Sequence, residues 1–137
     1  MRKITRKGWV RKLDKLLGVI VKERDGKCIV CGTTQNLTPG HLFSRIAYST
    51  RWDLDNVYAQ CLNCNFRHES DPYPMFEAVQ ENIGGKVFNG NLITNTEIFI
   101  EDLHRKYVTP HKFKDFQLEE LYHQLEGYLC GLYELSK

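Results

Sequence analysis

The sequence predicts an α+β fold in which a cysteine-stapled core of two short strands and a helix sits between a basic amphipathic N-terminal helix and a helical C-terminal region. Three observations carry that expectation. Apolar residues recur at helical spacing at both ends of the chain, the periodicity disappears over residues 33–60, and two Cys-x-x-Cys pairs bracket the aperiodic stretch. With 137 residues, 42% hydrophobic and 26% charged, one compact unit is expected instead of two full domains. Within it the segments are a basic arm (1–27), the stapled core (28–71) and the helical region (72–137).

The first element is an amphipathic helix over residues 9–21, with Trp9, Val10, Leu13, Leu16, Leu17 and Ile20 on one face and Arg11, Lys12, Asp14 and Lys15 on the other. Arg24-Asp25-Gly26 should stop it, since glycine takes the left-handed conformation that closes a helix. Two short strands are expected near residues 37–42 and 57–59, around a long loop. A helix should start at Asn65-Phe66-Arg67-His68 and stop at Asp71-Pro72-Tyr73-Pro74. The remainder reads as helical. Met75, Phe76, Val79 and Ile83 form one face before Gly84-Gly85, and Thr94 with Glu97 has the spacing of a capping box ahead of Ile98, Phe99, Leu103 and Tyr107. The last helix, capped near Asp115, carries Leu118, Leu121, Tyr122, Leu125, Tyr128, Leu129, Leu132 and Tyr133.

Cys28/Cys31 and Cys61/Cys64 are close pairs held far apart in sequence, the spacing of a structural Zn²⁺ site; Cys130 stands alone. Four thiolates fill a tetrahedral shell and leave no position for substrate, so the ion would be a staple. A redox dithiol and an iron–sulfur cluster are the rival readings of the same cysteines.

Charge is unevenly divided. Residues 1–27 hold ten Lys or Arg against three acids, a net +7, leaving −5 for the other 110. A basic arm on an acidic body points to a polyanion partner, with Arg2, Lys3, Arg6, Lys7, Arg11 and Lys12 as candidate DNA-backbone contacts; a solvated helix face is the alternative. No apolar run approaches the roughly 20 residues of a membrane span, so no membrane partner is expected and the protein is expected to be soluble and intracellular.

Between the cysteine pairs lie Pro39-Gly40-His41, Asn56 and, directly after the last cysteine, Asn65. The order Cys-x-x-Cys, Gly-His, loop, Asn-x-x-x-x-Cys-x-x-Cys-Asn resembles the zinc-containing HNH (His-Me finger, ββα-metal) endonucleases in an H-N-N variant, closest to the phage recombination nucleases of the NinG/Rap family. Gly40-His41-Leu42-Phe43-Ser44-Arg45, Arg51-Trp52-Asp53, Asn56 and Gln60-Cys61-Leu62-Asn63-Cys64-Asn65 follow that family's spacing, and a looser likeness extends over roughly residues 10–130.

The resemblance implies a zinc-stapled ββα-metal core and a Mg²⁺- or Mn²⁺-dependent DNA endonuclease. His41 would be the general base, Asn65 a ligand of the divalent cation with His68 three residues on as a second, and Asn56 the residue that fixes the loop and His41. Many HNH enzymes carry Asp or His directly before the base; Gly40 stands there, so weak cation affinity in the free protein is expected. Arg45, Arg51 and Arg67, with no lysine between Cys28 and Cys64, are candidate phosphate contacts, and Arg45 and Arg51 also join the catalytic set. His104, His111 and His123 fall outside the motif.

The same resemblance implies branched recombination intermediates such as four-way junctions as substrate, and the cytoplasm of a bacterial host as the site of action if the chain is phage-encoded. Two coordinated cuts imply a homodimer, for which the last helix is a candidate interface; packing within the monomer explains that helix equally well. Competing readings are an HNH enzyme that nicks or restricts duplex DNA, and a zinc-ribbon DNA-binding protein without catalysis.

Overall fold

The computed structural model describes residues 2–135. Helix α1 (Arg6–Asp25) begins earlier than its apolar spacing indicated, because Thr5 Oγ1 accepts the Gly8 amide at 3.1 Å and caps it. It ends at Gly26, whose φ of 70° closes the last turn on the Lys22 carbonyl. Trp9, Leu13, Leu17, Ile20 and Val21 are buried along it. Arg24, counted with the basic arm, turns inward instead. Its guanidinium is 8% exposed, pairs with Asp25 and donates to the Leu54 and Val57 carbonyls at 2.8 and 2.6 Å. Asp25 Oδ2 accepts the Ala59 amide at 2.8 Å, so this ion pair ties the end of α1 to the neighbouring strand.

Strands β1 (Leu37–His41) and β2 (Val57–Cys61) form an antiparallel hairpin in the register Leu37 to Cys61 and His41 to Val57. All five β2 residues are buried, and the two-residue period sends Val57 into one core and Tyr58 into the other. The first core joins α1, Trp52 and Val57 to Leu118 and Leu125 of α6 (Asp115–Leu135). The second gathers Leu42 and Tyr58 with Met75, Val79 and Ile83 of α4 (Tyr73–Ile83), and with Ile93 and Leu103. The C-terminal helix thus packs on α1 through its apolar face.

Gly40 sits where no side chain fits: a Cβ would lie 2.0 Å from Oε1 of the fully buried Gln60. Gly40→Ala is expected to lower stability by about 1–3 kcal/mol through overpacking. Calorimetry should show a lower thermal midpoint, partly recovered when Gln60→Ala is added, whereas an unchanged midpoint would contradict this packing.

Several boundaries differ from the sequence expectation. The long loop contains a short helix, α2 (Tyr48–Arg51). Helix α3 (Leu62–His68) starts three residues before Asn65, capped by Cys61, whose Sγ accepts the Cys64 amide at 3.4 Å; Asn65 is therefore inside the helix and is no cap. Pro72 and Pro74 open α4, since the first turn of a helix needs no amide donors, and do not merely end α3.

The C-terminal region is not wholly helical. Val87–Phe88 (β3) and Asn91–Leu92 (β4) pair across Asn89-Gly90, with φ of 48° and 85°, a two-residue turn that Asn-Gly favours. Strands of two residues are too short to show alternation. Helix α5 (Thr96–Tyr107) is capped by Asn95, which accepts the Ile98 amide at 3.1 Å, so the Thr94–Glu97 box is displaced by one residue. Asp115 is the first helical residue of α6 and faces Arg6 at 3.5 Å, while the Lys114 amide bonds Gln117 Oε1; Asp115 is not the cap. Among the described residues no helix is long and apolar enough to cross a membrane.

Candidate active site

Cys28, Cys31, Cys61 and Cys64 converge with their sulfurs all within 4.8 Å of one another. A tetrahedral ion with Zn–S bonds of about 2.3 Å separates its sulfurs by about 3.8 Å, and Cys31 Sγ lies 3.8 Å from Cys61 Sγ. That is too far for a disulfide and fits a shared Zn²⁺. Burial pushes the Cys28 thiol up, but the backbone amides of Cys31, Cys61 and Val30 more than offset it and bring it down to about 7. The Cys64 thiol is pushed up by burial and by the crowd of neighbouring thiols, which cannot all ionise without a cation among them. Cys130 is exposed on α6, apart from this cluster.

The staple joins the end of β2 and the start of α3 to the knuckle after α1, and so fixes α3 beside the end of β1. Between them opens a cleft of about 570 Å³ whose lining includes Asp14, His41, Arg45, Asn65, His68 and Glu69. Of the residues singled out from sequence, His41, Asn65, His68 and Arg45 are brought together here.

His41 Nε2 lies 2.8 Å from the Arg51 carbonyl. A carbonyl only accepts, so Nε2 carries the proton and Nδ1 keeps its lone pair. Burial lowers the His41 pKa below its ordinary value, and the charges of Arg45 and Arg51 lower it further, against the opposing Arg51 hydrogen bond and Asp14 charge. These effects together favour the neutral ring.

Arg51 cannot serve as a free phosphate contact. Its side chain is 13% exposed, and its guanidinium grips Asp14 with Nε and Nη2 at 3.0 and 2.7 Å. Asp14 also accepts Trp52 Nε1 at 2.8 Å and approaches Arg45 at 3.4 Å. Burial would raise the Asp14 carboxyl, but these hydrogen bonds and charges hold it below the usual carboxylate range. Asp14 thus anchors Arg51, and the carbonyl of Arg51 orients His41. Sequence reasoning passed over Asp14, which lies 37 positions from Arg51 on a helix read only as amphipathic.

Asn56 is fully buried and does not reach the cleft. Its Oδ1 accepts the Phe43 amide at 2.8 Å, and its Nδ2 donates to the Phe43 and Thr50 carbonyls at 2.9 and 3.0 Å, holding both ends of the loop after His41. Asn65 Nδ2 donates to Thr38 Oγ1 at 3.0 Å, which leaves its Oδ1 able to accept. His68 Nε2 donates to the Leu42 carbonyl at 3.0 Å, and its Nδ1 is buried with no hydrogen-bond partner among the described residues. Glu69, four positions after Asn65 and so on the same helical face, lines the cleft as well; that spacing could have flagged it. Asn65, His68 and Glu69 line the cleft with oxygen and imidazole groups, the donor types that a divalent cation takes.

The remaining basic residues lie around this cleft and beyond it. Arg45 is exposed at the mouth; Arg67 is exposed on α3 but outside the cleft lining. Arg2, Lys3, Lys7, Arg11 and Lys12 are exposed, while Arg6 is half-buried, donating to the Phe113 carbonyl at 2.6 Å. His104 contacts Phe43, His111 contacts Phe113, and His123 pairs with Glu119 and Glu126 on α6, none of them in the cleft.

A family model described as NinG: Bacteriophage Lambda NinG protein matches residues 2–121, most of the chain. Neither the curated proteins nor the solved structures give a match.

Proposed function

The chain belongs to the bacteriophage lambda NinG family, and on that premise we propose that it is a divalent-metal-dependent HNH-type DNA endonuclease acting in phage recombination, in the cytoplasm of the host cell. The observation that carries the reading is the tethered His41: its Nε2 is committed to the Arg51 carbonyl and its Nδ1 is free, in a cleft shared with Asn65, His68 and Glu69.

Phosphodiester hydrolysis needs a base for the attacking water and relief of the charge that builds on the phosphorus oxygens. His41 Nδ1 takes the proton from water as its oxygen attacks phosphorus and the bond from phosphorus to the departing sugar oxygen breaks, that oxygen taking its proton from solvent, while the Arg51 carbonyl holds the ring through Nε2–H. Asn65, His68 and Glu69 are the residues that would hold Mg²⁺ or Mn²⁺, which supplies charge neutralisation at the scissile phosphate when bound. With Gly40 before the base, no ligand comes from that position, and α3 must provide the donors. Arg45 meets substrate phosphate at the cleft mouth, and the exposed cations of the α1 N-terminus and Arg67 grip the flanking backbone. Branched recombination intermediates are the proposed substrate, cut by a homodimer that places two such sites on opposing strands.

Two expected results follow from the His41 geometry. The base works only when neutral, and burial lowers its pKa below that of an ordinary imidazole, so the cleavage rate should rise with pH along a limb on the acid side of an ordinary imidazole titration and be level near neutrality. An acid limb centred above pH 7 in a pH–rate profile would exclude His41 as the titrating base. Asp14→Asn should loosen Arg51 without removing any reacting group, lowering single-turnover cleavage about tenfold through misplacement with DNA affinity little changed. A wild-type rate in that variant would show that the Asp14–Arg51 pair does not position the base.

The substrate is tested by presenting a labelled four-way junction, the matching linear duplex and a supercoiled plasmid, each with Mg²⁺. Junction cleavage in excess of duplex cleavage is expected. Equal cutting of duplex would replace the junction substrate by a nicking activity, and binding of all three without cutting would leave a non-catalytic DNA-binding protein.

A further inference from the structure

We propose that residues 103–114 form a second phosphate-binding surface, which holds duplex DNA where it leaves the cleft. The inference rests on the reading of this chain as a DNA-acting protein and extends it to a surface outside the basic arm and the cleft. Residues 103–114 contain Arg105, Lys106, Lys112 and Lys114 and no Asp or Glu, within a part of the chain whose net charge is negative. Arg105 and Lys106 line an open groove of about 640 Å³ together with Thr109, His111 and Phe113, and Asp102 is its one acidic lining residue.

Two of the four cations have a structural use. Arg105 pairs with Asp102 at 3.1 Å and Lys106 with Asp53, and both complement the negative end of the α5 dipole. Lys112 and Lys114 have no such use. Both are exposed, and neither has an ion-pair partner among the described residues. Lys114 enters the fold through its backbone amide, bonded to Gln117 Oε1 at 2.8 Å, so its ammonium group is not required there. Both precede the N-terminus of α6, where the helix dipole disfavours a cation. Two exposed lysines placed against the dipole, with no ion-pair partner among the described residues, leave their ammonium groups free to meet an external polyanion.

The segment that carries them is held in place. The Phe113 carbonyl accepts from Arg6 at 2.6 Å, the Tyr107 carbonyl from Ser49 Oγ at 3.3 Å, and Thr109 Oγ1 donates to the Arg105 carbonyl at 2.7 Å. It is also connected to the cleft. The Arg51 guanidinium, whose residue's carbonyl holds His41, lies 5.6 Å from the Tyr48 ring centroid; Arg6 lies 6.0 Å from the same ring and reaches Phe113. The N-terminal end of α1, with exposed Arg2, Lys3 and Lys7, therefore adjoins the groove on one side and the cleft through Tyr48 on the other. That continuity favours one long polyphosphate over an acidic protein, because a single duplex can neutralise all three regions.

The test is the salt dependence of binding to a fluorescent duplex of about three helical turns, without added divalent cation so that nothing is cut. Each phosphate contact contributes about 0.9 to the slope of log K against log[salt]. Lys112→Ala/Lys114→Ala should reduce that slope by about 2 and weaken binding about tenfold or more near 0.1 M salt. Its thermal midpoint should match the wild type, and Lys112→Arg/Lys114→Arg should keep the wild-type slope. A double alanine variant with the wild-type slope and affinity overturns this surface while leaving the nuclease reading intact. Wild-type protein that binds no duplex at any salt also overturns this surface, whereas the nuclease reading falls only if the junction is left uncut with Mg²⁺.

Discussion

His41→Ala is expected to lower the rate of DNA cleavage by about 10²–10⁴-fold, the usual contribution of a general base, while zinc content, thermal midpoint and DNA affinity stay at wild-type values. The side chain makes one hydrogen bond, to the Arg51 carbonyl, and that carbonyl can take water in its place once the ring is gone. The Asp14–Arg51 pair, the Asn56 bonds to the loop and the α3 contacts do not pass through the imidazole. Single-turnover cleavage with Mg²⁺ separates chemistry from binding. A variant that cuts at the wild-type rate would remove His41 from the mechanism, and one that loses zinc would make its role structural.

Removal of the zinc ion is expected to abolish cleavage and to unfold the cysteine knuckle and α3 before the rest. Cys28, Cys61 and Cys64 form a small cluster with only Val30 and Leu37 packed against them, too little apolar burial to hold a knuckle and a seven-residue helix. Structural zinc contributes roughly 10–16 kcal/mol of apparent binding free energy, comparable to or larger than the roughly 5–15 kcal/mol stability of a whole domain. The α1–α6 core uses none of the cysteines and should outlast the loss. Hydrogen exchange after a strong chelator, or in Cys61→Ser, should show protection lost over residues 28–36 and 62–68 first, with β2, α1 and α6 opening later. Simultaneous loss everywhere, or no loss, would contradict the staple. Because Asn65 and His68 lie on α3 and Glu69 directly follows it, added Mg²⁺ should not rescue cleavage.

How much of this could be read from the chain depends on the range of each interaction. Cysteines that could hold zinc come as local pairs, so Cys28/Cys31 and Cys61/Cys64 announce themselves, and the residues between them place β1, β2 and α3 to within a few positions. Helices with a long apolar face, α1 and α6, are legible for the same reason: their pattern repeats many times. Caps do not repeat, and they moved from Thr94 to Asn95 and away from Asp115. The Asn89-Gly90 hairpin was marked only by its turn dipeptide, inside a stretch read as helical. In the candidate site the imidazole and the carboxamides were visible, but their supports were not. Asp14 reaches Arg51 from another element, and the pair withdraws an arginine that composition alone had assigned to phosphate. Arg24 likewise left the surface for a buried pair with Asp25. Charge counted along a sequence does not say which charges face solvent; partners far apart in the chain decide that.

Hydrolysis of DNA phosphodiester bonds with a divalent cation is the activity proposed for the cleft of His41, Asn65, His68 and Glu69. It is tested most directly by incubating zinc-loaded wild-type protein with end-labelled four-way junction DNA under single-turnover conditions, with and without Mg²⁺. Discrete, shortened, labelled strands that appear only with Mg²⁺ are the expected result. Intact strands with both Mg²⁺ and Mn²⁺, from protein that binds the junction, would contradict it.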